Sequence, residues 1–570
     1  MPRSAQVLIR ARATGNADAL PPSLHPVLRR VYASRGVTES DLALELRHLL
    51  PTAQLRGVEQ ATALLEGALR EPKRIVIAGD YDADGATGVA LAVLALRALG
   101  AAHVDYVVPD RFRMGYGLSP ALAELAAQKG AQLLVTVDNG IASHAGVARA
   151  RELGMQVLIT DHHLPGAQLP AADAVVNPNQ HGCEFASKHV AGVGVMFYVL
   201  LALRTRLRES GWFAARVEPN LAEYLDLVAV GTVADVVRLD YNNRVLVEQG
   251  LRRIRAGRGR PGIVALLSTA GRRAQHLGAA DLGFVLGPRI NAAGRLDDIR
   301  TGIECLLSDS EESAAPLAQQ LDRFNRQRRE IEAQMNDDAL ILLEDNQHVG
   351  VTLFDAGWHE GVVGLVASRM KEKLHRPVIA FAPAQEAGVL KGSGRTIAGL
   401  HLRDALAAVD ARHPGLIARF GGHAMAAGLT LRTEALELFR AAFDAVCREC
   451  LDTQTLEQVL DTDGVLGAAE LNLETARALA AAGPWGQGFP EPLFDGEFEI
   501  EQARRVGAQQ THAKYRLRAH GQSVAAVDFG GAARLLTRGR MRAIYRLAVN
   551  RWQDAESLDL QIVHLEPASG

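Results

Sequence analysis

Acidic and imidazole side chains follow several apolar segments of the chain, at the points where those segments end. They are Asp80, Asp82 and Asp84 after RIVIA, Asp138 after LLVTV, Asp161-His162-His163 after QVLIT, and Asp235 within GTVADVV. Carboxylates combined with imidazoles suit Mn²⁺ or Mg²⁺ better than they suit zinc, which prefers thiolates. If these side chains converge, they form a binding site for one of those two cations.

A converging cluster of this kind requires cations, because like charges a few ångströms apart raise each other's pKa. Two ions about 3.5–4 Å apart that share a carboxylate are the arrangement used for phosphodiester hydrolysis. The carboxylates exceed what one ion needs, so we expect two ions. A single aspartate at a strand end is explained more simply as a helix N-cap. Three alternating aspartates cannot all cap one helix, however, and adjacent histidines after a buried strand have no routine packing role.

The elements that must position these residues can be predicted from hydrophobic patterning. Between residues 74 and 176, short apolar runs alternate with amphipathic helical stretches. This pattern is typical of a parallel sheet covered by helices on both faces. Ligands of such sheets bind outside the carboxyl ends of the strands, which is where the acidic groups are expected to lie.

The remaining sequence predicts a multidomain α/β protein. We expect a mostly helical segment at 1–70, the parallel-sheet domain at 71–305, a connecting helix at 306–345, a second α/β domain at 346–452 and an all-β barrel or sandwich at 453–570. The last region is predicted from its short alternating strands.

Composition narrows the class of protein only a little. The net charge of −3 does not indicate a nucleic-acid binder, and because only seven of the 62 basic residues are lysine, an isolated arginine is weak support for phosphate binding. Four scattered cysteines cannot form a disulfide framework. No signal peptide or membrane-spanning segment is evident, so we expect a cytoplasmic protein.

The motifs GDYDADG, TVDNG, TDHH and GTVADVV, in this order, resemble the four motifs of the DHH phosphoesterase family. Four downstream segments resemble the exonuclease branch of that family, which acts on single-stranded DNA: GPRINAAGRLDD, GWHEGVVGLVASR, GSGRT and GGHAMAAG. The resemblance implies a DHH catalytic domain at 71–305, a nucleic-acid-binding domain of the DHHA1 type at 346–452 and an OB-fold at 453–570.

The same resemblance implies roles for individual residues. It implies that the metal ligands are Asp80 or Asp82, Asp84, Asp138, His162 and Asp235, and that Asp138 bridges the ions. His163 would face the scissile phosphate, and Asp161 would orient a histidine. Whether Asp80 or Asp82 binds directly is open at this point.

Residues that could bind DNA lie outside the four DHH motifs. For a 5′-phosphate and the DNA backbone they are Arg111, Arg289, Asn291, Ser393, Gly394, Arg395, Gly422 and His423; for base stacking they are Tyr515, Phe529 and Trp552. Each has a simpler alternative: a glycine turn with a solvated arginine, a structural histidine, an arginine paired with Asp297 or Asp298, or an aromatic ring in a core. Phe489 stands where family members often carry Asn, so the resemblance does not define the geometry of the linker before the OB-fold.

The leading functional hypothesis is a 5′-to-3′ exonuclease that releases 5′-mononucleotides from single-stranded DNA in recombination and repair. An alternative is a DHH phosphodiesterase acting on short oligonucleotides or cyclic dinucleotides, although such relatives generally lack the β domain. A non-catalytic DNA-binding scaffold is a third possibility, but scaffolds of this family lose the acidic set. Single-stranded DNA, a helicase and a single-strand-binding protein are the expected partners of a monomer that does not bind membranes.

Overall fold

The computed structural model describes residues 7–111, 114–343, 347–553 and 555–568, apart from the side chain of Trp552. The chain forms two compact units. The larger unit comprises Ala11–Asp322 and Thr462–Gly570, and the smaller unit comprises Met1–Arg10 and Arg323–Asp461. Among the described residues, no helix combines the length and the apolar character needed to cross a membrane.

The larger unit begins with helices and continues into the predicted α/β domain. After strand β1 (Val7–Ala11), its elements are α1 (Pro26–Ala33), α2 (Val58–Arg70), β2 (Arg74–Ala78), α3 (Ala83–Ala98), β3 (His103–Val107), α4 (Pro120–Gln128), β4 (Leu133–Val137), α5 (His144–Glu152), β5 (Gln156–Thr160), β6 (Ala174–Val176), α6 (Gly192–Glu209), α7 (Leu225–Ala234), α8 (Tyr241–Arg255), α9 (Pro261–Thr269), α10 (Ala279–Asp281), α11 (Gly287–Leu296) and α12 (Arg300–Leu307). A π-helical turn, Leu282–Leu286, joins α10 to α11.

The sheet of this domain is parallel throughout, in the order β3-β2-β4-β5-β6. Strand β4 is buried along its whole length, as expected for a strand covered on both faces. On one face, Val76, Leu134 and Val157 belong to a core that includes residues of α4 and α5. The strand order reverses at β2, which has β3 on one side and β4 on the other, and the carboxyl ends beside such a point form a natural ligand crevice.

A 32-residue helix, α13 (Glu311–Leu342), follows. The smaller unit then contains β7 (Val351–Phe354), α14 (Val363–Leu374), β8 (Val378–Pro383), β9 (Val389–Arg395), α15 (Leu402–Arg412), β10 (Arg419–Gly422), β11 (Ala426–Arg432) and α16 (Leu436–Cys450). Its sheet has the order β10-β11-β9-β8-β7, and only β7 and β8 run parallel. The rings of Phe381, Phe439 and Phe443 pack at centroid distances of 5.6 and 5.8 Å in its core. The predicted second α/β domain is thus confirmed.

The C-terminal strands close into a barrel with the order β13-β14-β15-β17-β16. The elements of this region are β12 (Gln458–Thr462), which pairs with β1, α17 (Leu473–Ala481), β13 (Phe494–Val506), β14 (His512–Ala519), β15 (Gln522–Asp528), β16 (Arg540–Trp552) and β17 (Ala555–Pro567). A closed five-stranded barrel is the OB architecture, so the prediction of an OB-fold is confirmed.

The linker before the barrel is fixed by aromatic packing within the larger unit. Trp485 and Phe489 stack at 5.1 Å with their planes 10° apart, and Tyr32 of α1 lies 5.8 Å from Trp485. The guanidinium of Arg244, on α8, sits 4.1 Å from the centroid of Phe489. A cation over an aromatic face is an attractive contact, so Phe489, the residue that departs from the family pattern, acts as an anchor between α8 and the barrel.

We expect Phe489→Ala to destabilise the larger unit by about 3 kcal/mol, since the buried ring would leave a cavity and Arg244 would lose its aromatic partner. Thermal unfolding of the full chain should show a midpoint lowered by several degrees. Phe529→Ala is the matched control, because Phe529 is 63% exposed on the barrel whereas Phe489 is 6% exposed. Equal midpoints for the two variants would contradict the anchoring role.

Candidate metal centre

The carboxyl end of the parallel sheet gathers the predicted metal-binding residues. Asp80 follows β2, Asp138 follows β4, and His162 lies just beyond β5. Asp235 is the residue directly after α7. Potential ligand atoms lie within 4.8 Å of one another in three groups: Asp80, Asp82 and Asp138; Asp138, His162 and His163; and Asp84, His162 and Asp235. The structure therefore brings together the six candidate metal ligands, with both Asp80 and Asp82 among them, and His163.

His162 lies at the middle of this cluster. Its Nε2 atom is 3.1 Å from Oδ1 of Asp138, 3.5 Å from Oδ2 of Asp235 and 4.0 Å from Oδ2 of Asp84. Asp138 belongs to two of the three groups. His162 also belongs to two groups, but a carboxylate has two oxygens with which to bind two ions, so Asp138 is the better candidate to be shared between two ligand sets.

Two of the three alternating aspartates also act as helix caps, but they cap different helices. Oδ1 of Asp82 accepts hydrogen bonds from the amides of Asp84 and Gly85 at the start of α3. The carboxylate of Asp84 accepts from the amides of Gly192 (2.6 Å) and Val193 (2.9 Å), the first residues of α6. Helix N-termini offer unpaired N–H groups and a partial positive charge, and this stabilises Asp84 among its acidic neighbours.

Backbone conformation at the site is unusual. Asp138 has φ of 63° and Val236, directly after Asp235, has φ of 61°. For a β-branched residue such as Val236 this left-handed conformation is an outlier. Strained backbone of this kind persists only where the surroundings enforce it, and it concentrates at functional sites.

Tight helix packing helps to hold the backbone in this conformation. A Cβ atom on Gly192 would lie 2.5 Å from Cβ of Asp138, and one on Gly231, in α7, would lie 2.3 Å from Oγ1 of Thr87 and 2.9 Å from Oδ1 of Asp84. Only glycine allows α6 and α7 to approach the carboxylates this closely.

Asp161 orients His163. Its Oδ1 atom is 2.7 Å from Nδ1 of the His163 ring and accepts from the amides of His162 and His163, while Oδ2 accepts from the amide of Ile141. Burial acts to raise the pKa of Asp161, but the hydrogen bond from His163 and the nearby imidazoles outweigh burial and lower it. The expected orienting role of Asp161 thus fits its contacts, which are made to His163.

The pKa values of the other carboxyls in the cluster shift in the opposite direction, upward. Burial, reinforced by the neighbouring carboxylates, raises the pKa of Asp84 to about 7. The same causes raise the pKa values of Asp80, Asp138 and Asp235 well above the ordinary range. The cluster is therefore unfavourable in its fully ionised form unless cations are bound.

The donor set fits divalent cations such as Mn²⁺ or Mg²⁺. Oδ1 of Asp80 and Oδ1 of Asp138 are buried and accept no hydrogen bond from the residues that the structure describes, a situation that normally costs free energy. A cation would satisfy both oxygens. Asp80 and Asp82 both offer ligand atoms, and each carboxylate also accepts a backbone hydrogen bond, Asp82 from the first turn of α3 and Asp80 from the amide of Tyr81.

Three predicted DNA contacts of the larger unit differ in outcome. The guanidinium of Arg111 lies 4.8 Å from the ring centroid of Tyr81, within the first motif, and so stands beside the metal centre. Arg289 is bound by Asp322 of α13 at 2.9 Å. The amide of Ala83 donates to Oδ1 of Asn291. These contacts favour structural roles for Arg289 and Asn291. The observed partner of Arg289 is Asp322, not Asp297 or Asp298 as the sequence suggested.

The smaller unit holds the predicted phosphate-binding residues on strand β9 and at a neighbouring hairpin. Ser393, Gly394 and Arg395 lie on β9, paired with β8 and β11, so the alternative of a glycine turn is wrong. Nη1 of Arg395 donates to Oγ of Ser393 at 3.2 Å. Gly422 ends β10 and His423 follows it in the turn to β11, where its amide donates to the carbonyl of Ala426.

Of the predicted stacking residues, Tyr515 is buried, so that prediction is wrong, whereas Phe529 is accessible. Side chains alternate along β14, so Tyr515 points into the barrel and is 2% exposed, whereas Lys514 and Arg516 are exposed on the outer face. Phe529 is 63% exposed and packs edge-on against His512. The side chain of Trp552 lies outside the described residues.

One residue of the site was not predicted from the sequence. Tyr116, in the loop between β3 and α4, donates a hydrogen bond to the carbonyl of Asp138 at 2.9 Å and lies against His163. Its only sequence signal is a tyrosine between two glycines after a strand, which does not by itself distinguish a site residue from a loop residue.

Three stretches of the chain match known domain families. Residues 74–232 match the DHH family, N-terminal domain; residues 346–449 match the DHHA1 domain; and residues 462–564 match the RecJ OB domain. These matches fall on the parallel-sheet domain, the second α/β domain and the barrel.

Complete relatives and solved structures agree with these matches. The chain is 51% identical over 574 residues to the single-stranded-DNA-specific exonuclease RecJ of Escherichia coli (strain K12), with 99% of each chain covered. It is 53% identical over 571 residues to the protein of the same name from Dickeya dadantii (strain 3937), with 98% of this chain and 99% of the relative covered.

The crystal structure of RecJ in complex with Mn²⁺ from Thermus thermophilus superposes with a TM-score of 0.81 at 32% identity, covering 99% of this chain and 80% of that one. The corresponding Mg²⁺ complex gives a TM-score of 0.75 at 30% identity, covering 99% and 79%. Because these similarities extend over nearly the whole sequence, the chain belongs to the RecJ family.

Proposed function

We propose that this chain is a metal-dependent exonuclease that degrades single-stranded DNA from the 5′ end and releases 5′-mononucleotides. The observation that carries the proposal is the buried cluster of carboxylates and imidazoles at the carboxyl end of the sheet, together with a barrel of the OB type. The names of the relatives, single-stranded-DNA-specific exonucleases, supply the substrate. The direction and the product rest on resemblance to the family.

The residues form two neighbouring ligand sets for a pair of Mn²⁺ or Mg²⁺ ions. One set is Asp80, Asp82 and Asp138, and the other is Asp84, His162 and Asp235. Asp138 belongs to the first set and lies 3.1 Å from His162 of the second, so we assign it as the bridge. Two bound ions supply an activated water and neutralise the charge that develops on the phosphate.

The role of His163 follows from its contacts. Asp161 fixes its ring, and Nδ1 lies 4.0 Å from Oδ1 of Asp138. Burial acts to lower the pKa of His163, but its hydrogen bond to Asp161 and the surrounding carboxylates raise it. A protonated imidazole held beside the metal ligands can donate to a non-bridging oxygen of the scissile phosphate and stabilise its charge.

The barrel offers a surface for the DNA backbone. Arg504 of β13 and Lys514 of β14 are direct cross-strand neighbours, and Arg516 lies opposite Gln502, two pairs further along. Like charges directly opposite each other destabilise a sheet, whereas a polyanion passing over them removes that cost. Phe529, exposed at the end of β15, adds an aromatic face on which a base can stack.

The smaller unit offers a site for the terminal phosphate. A Cβ atom on Gly364, in the first turn of α14, would lie 2.9 Å from Oγ of Ser393 and 3.3 Å from Nη2 of Arg395. The two side chains therefore sit at the start of a helix, where unpaired amides and the helix dipole favour an anion. A guanidinium beside a hydroxyl adds charge-assisted hydrogen bonds.

The biological setting is proposed from the resemblance alone. We place the chain in the cytoplasm, as a monomer acting in recombination and repair with a helicase and a single-strand-binding protein.

Digestion of end-labelled single-stranded DNA tests the proposal directly. With Mn²⁺ present we expect a 5′ label to be released at once as a mononucleotide and a 3′ label to be released late, and we expect EDTA to stop the reaction. Immediate release of the 3′ label, or cleavage that persists in EDTA, would show the proposal to be wrong.

In that assay Asp138→Asn should lower turnover by more than about a hundredfold, since even indirect support of metal ligands is worth 10–100-fold. Asparagine tolerates the left-handed backbone of Asp138, so the variant should fold and still bind DNA, as checked by circular dichroism and fluorescence anisotropy. Asp105→Asn is the control, because Asp105 lies on the same sheet but pairs with Lys129.

Arg395→Ala should reduce the preference for 5′-phosphorylated over 5′-hydroxyl ends by about tenfold or more, the value of a charge-assisted hydrogen bond. The measurement compares kcat/KM for the two kinds of end. Arg412→Ala, which removes a guanidinium paired with Glu449 in the same unit, should leave the preference intact. Equal preference in wild type and Arg395→Ala would remove Arg395 from the phosphate site.

Metal binding should be linked to pH through the buried carboxyls. Folded Asp84 keeps its proton up to about pH 7, whereas an unfolded aspartate loses it near ~4. The stability that this proton gives the metal-free protein is therefore lost as pH rises from ~4 to about 7, and Mn²⁺, which binds deprotonated ligands, should counteract the loss. We expect Mn²⁺ to raise Tm more at pH 8 than at pH 6, relative to EDTA; equal increases would contradict the linkage.

A further inference from the structure

The loop between β3 and α4 brings Tyr116 to the metal centre from outside the four family motifs. Gly115 and Gly117, on either side of it, both have φ of 75°, a conformation that glycine adopts without strain. The chain can therefore turn sharply both before and after Tyr116, and the side chain reaches the cluster from this turn.

The hydroxyl of Tyr116 contacts two site residues at once. It donates to the backbone carbonyl of Asp138 at 2.9 Å, and its oxygen lies 3.1 Å from each ring nitrogen of His163. The ring of Tyr116 also meets the ring of His163 edge-on at 5.5 Å and that of Tyr81 at 6.0 Å. One side chain thus contacts the backbone of the proposed bridging residue, the ring of the proposed phosphate-facing histidine and a tyrosine of the first motif.

The contact with Asp138 matters because of the backbone at that residue. Asp138 adopts the left-handed conformation, with φ of 63°, which a non-glycine residue keeps only when its surroundings enforce it. Its amide donates to the carbonyl of Thr160 at 3.1 Å, and its carbonyl accepts from Tyr116. Loss of the second bond would free the peptide after Asp138 to rotate, and the carboxylate would move with it.

We propose that Tyr116 is a positioning residue whose hydroxyl holds Asp138 and His163 in the geometry that binds the metal ions and the substrate phosphate. The inference rests on the proposed function, because it concerns residues assigned there to the ions and the phosphate. If this is so, Mn²⁺ binding and turnover depend on the hydroxyl of Tyr116 and not on its aromatic ring.

The variant that isolates the hydroxyl is Tyr116→Phe, which keeps the ring and its edge-on contacts. Tyr106→Phe is the matched control, since it removes a hydroxyl from the same domain that is hydrogen-bonded to Glu304 on α12. Three measurements are needed: Mn²⁺ binding to the DNA-free full chain by calorimetry, kcat and KM on 5′-phosphorylated single-stranded DNA at saturating Mn²⁺, and Tm.

For Tyr116→Phe we expect the Mn²⁺ dissociation constant to rise and kcat to fall, each by about three- to tenfold, the effect of one lost hydrogen bond. KM for DNA and Tm should stay at the wild-type values, because the ring and the fold are retained. Tyr106→Phe should match wild type in all four quantities.

Wild-type Mn²⁺ affinity and kcat in Tyr116→Phe would overturn the inference and leave the proposed function standing. A raised KM with unchanged Mn²⁺ affinity would also overturn it, because that result would identify Tyr116 as a DNA contact. If wild type itself neither binds Mn²⁺ nor cleaves DNA, the proposed function fails and the inference fails with it.

Discussion

Repulsion among buried carboxylates is the constraint on which the rest of the site depends. Asp80, Asp84, Asp138 and Asp235 lie close together with raised pKa values, and no arrangement of ordinary side chains would gather them for stability alone. The surrounding elements hold these carboxylates close together in the absence of cations. Amides at the start of α6 stabilise Asp84, and glycines let the helices approach. The strained backbone at Asp138 and Val236 is a further cost of the same arrangement.

Asp161 shows that environment, rather than residue type, decides what an aspartate does here. It is as deeply buried as Asp138, yet its pKa is lowered, because His163 and three backbone amides bind it. Asp138 has an oxygen that accepts no hydrogen bond from the described residues. The carboxylate of Asp161 is fully hydrogen-bonded within the protein, which fits the orienting role proposed for it. The carboxylate of Asp138 is not, which fits the metal-binding role proposed for it.

Much of this site could be predicted from the sequence, because parallel strands bring their carboxyl ends to one edge. Asp80, Asp138 and His162 follow three buried strands, and their convergence needs only that rule. Contacts made across long stretches of chain could not be predicted. The bond between Asp84 and the amide of Gly192, the bond between Asn291 and the amide of Ala83, and the pairing of Arg289 with Asp322 all depend on how helices pack.

The roles of single residues in the barrel and the loops could not be predicted from the sequence either. Tyr515 was a candidate stacking residue, but which face of β14 points inward depends on the register with β13 and β15. Tyr116 belongs to none of the motifs, and it reaches the site only because the chain turns at the glycines on either side of it. Phe489 departs from the family pattern, and only the structure shows that it packs against Trp485 and Arg244.

We propose that two divalent cations share the carboxylate of Asp138. Anomalous diffraction from crystals of the full chain grown with Mn²⁺ measures this most directly. We expect two manganese peaks about 3.5–4 Å apart, both within coordination distance of the Asp138 carboxylate, with Asp84, His162 and Asp235 around one of them. A single peak, or two peaks that do not share Asp138, would show that Asp138 does not bridge two ions.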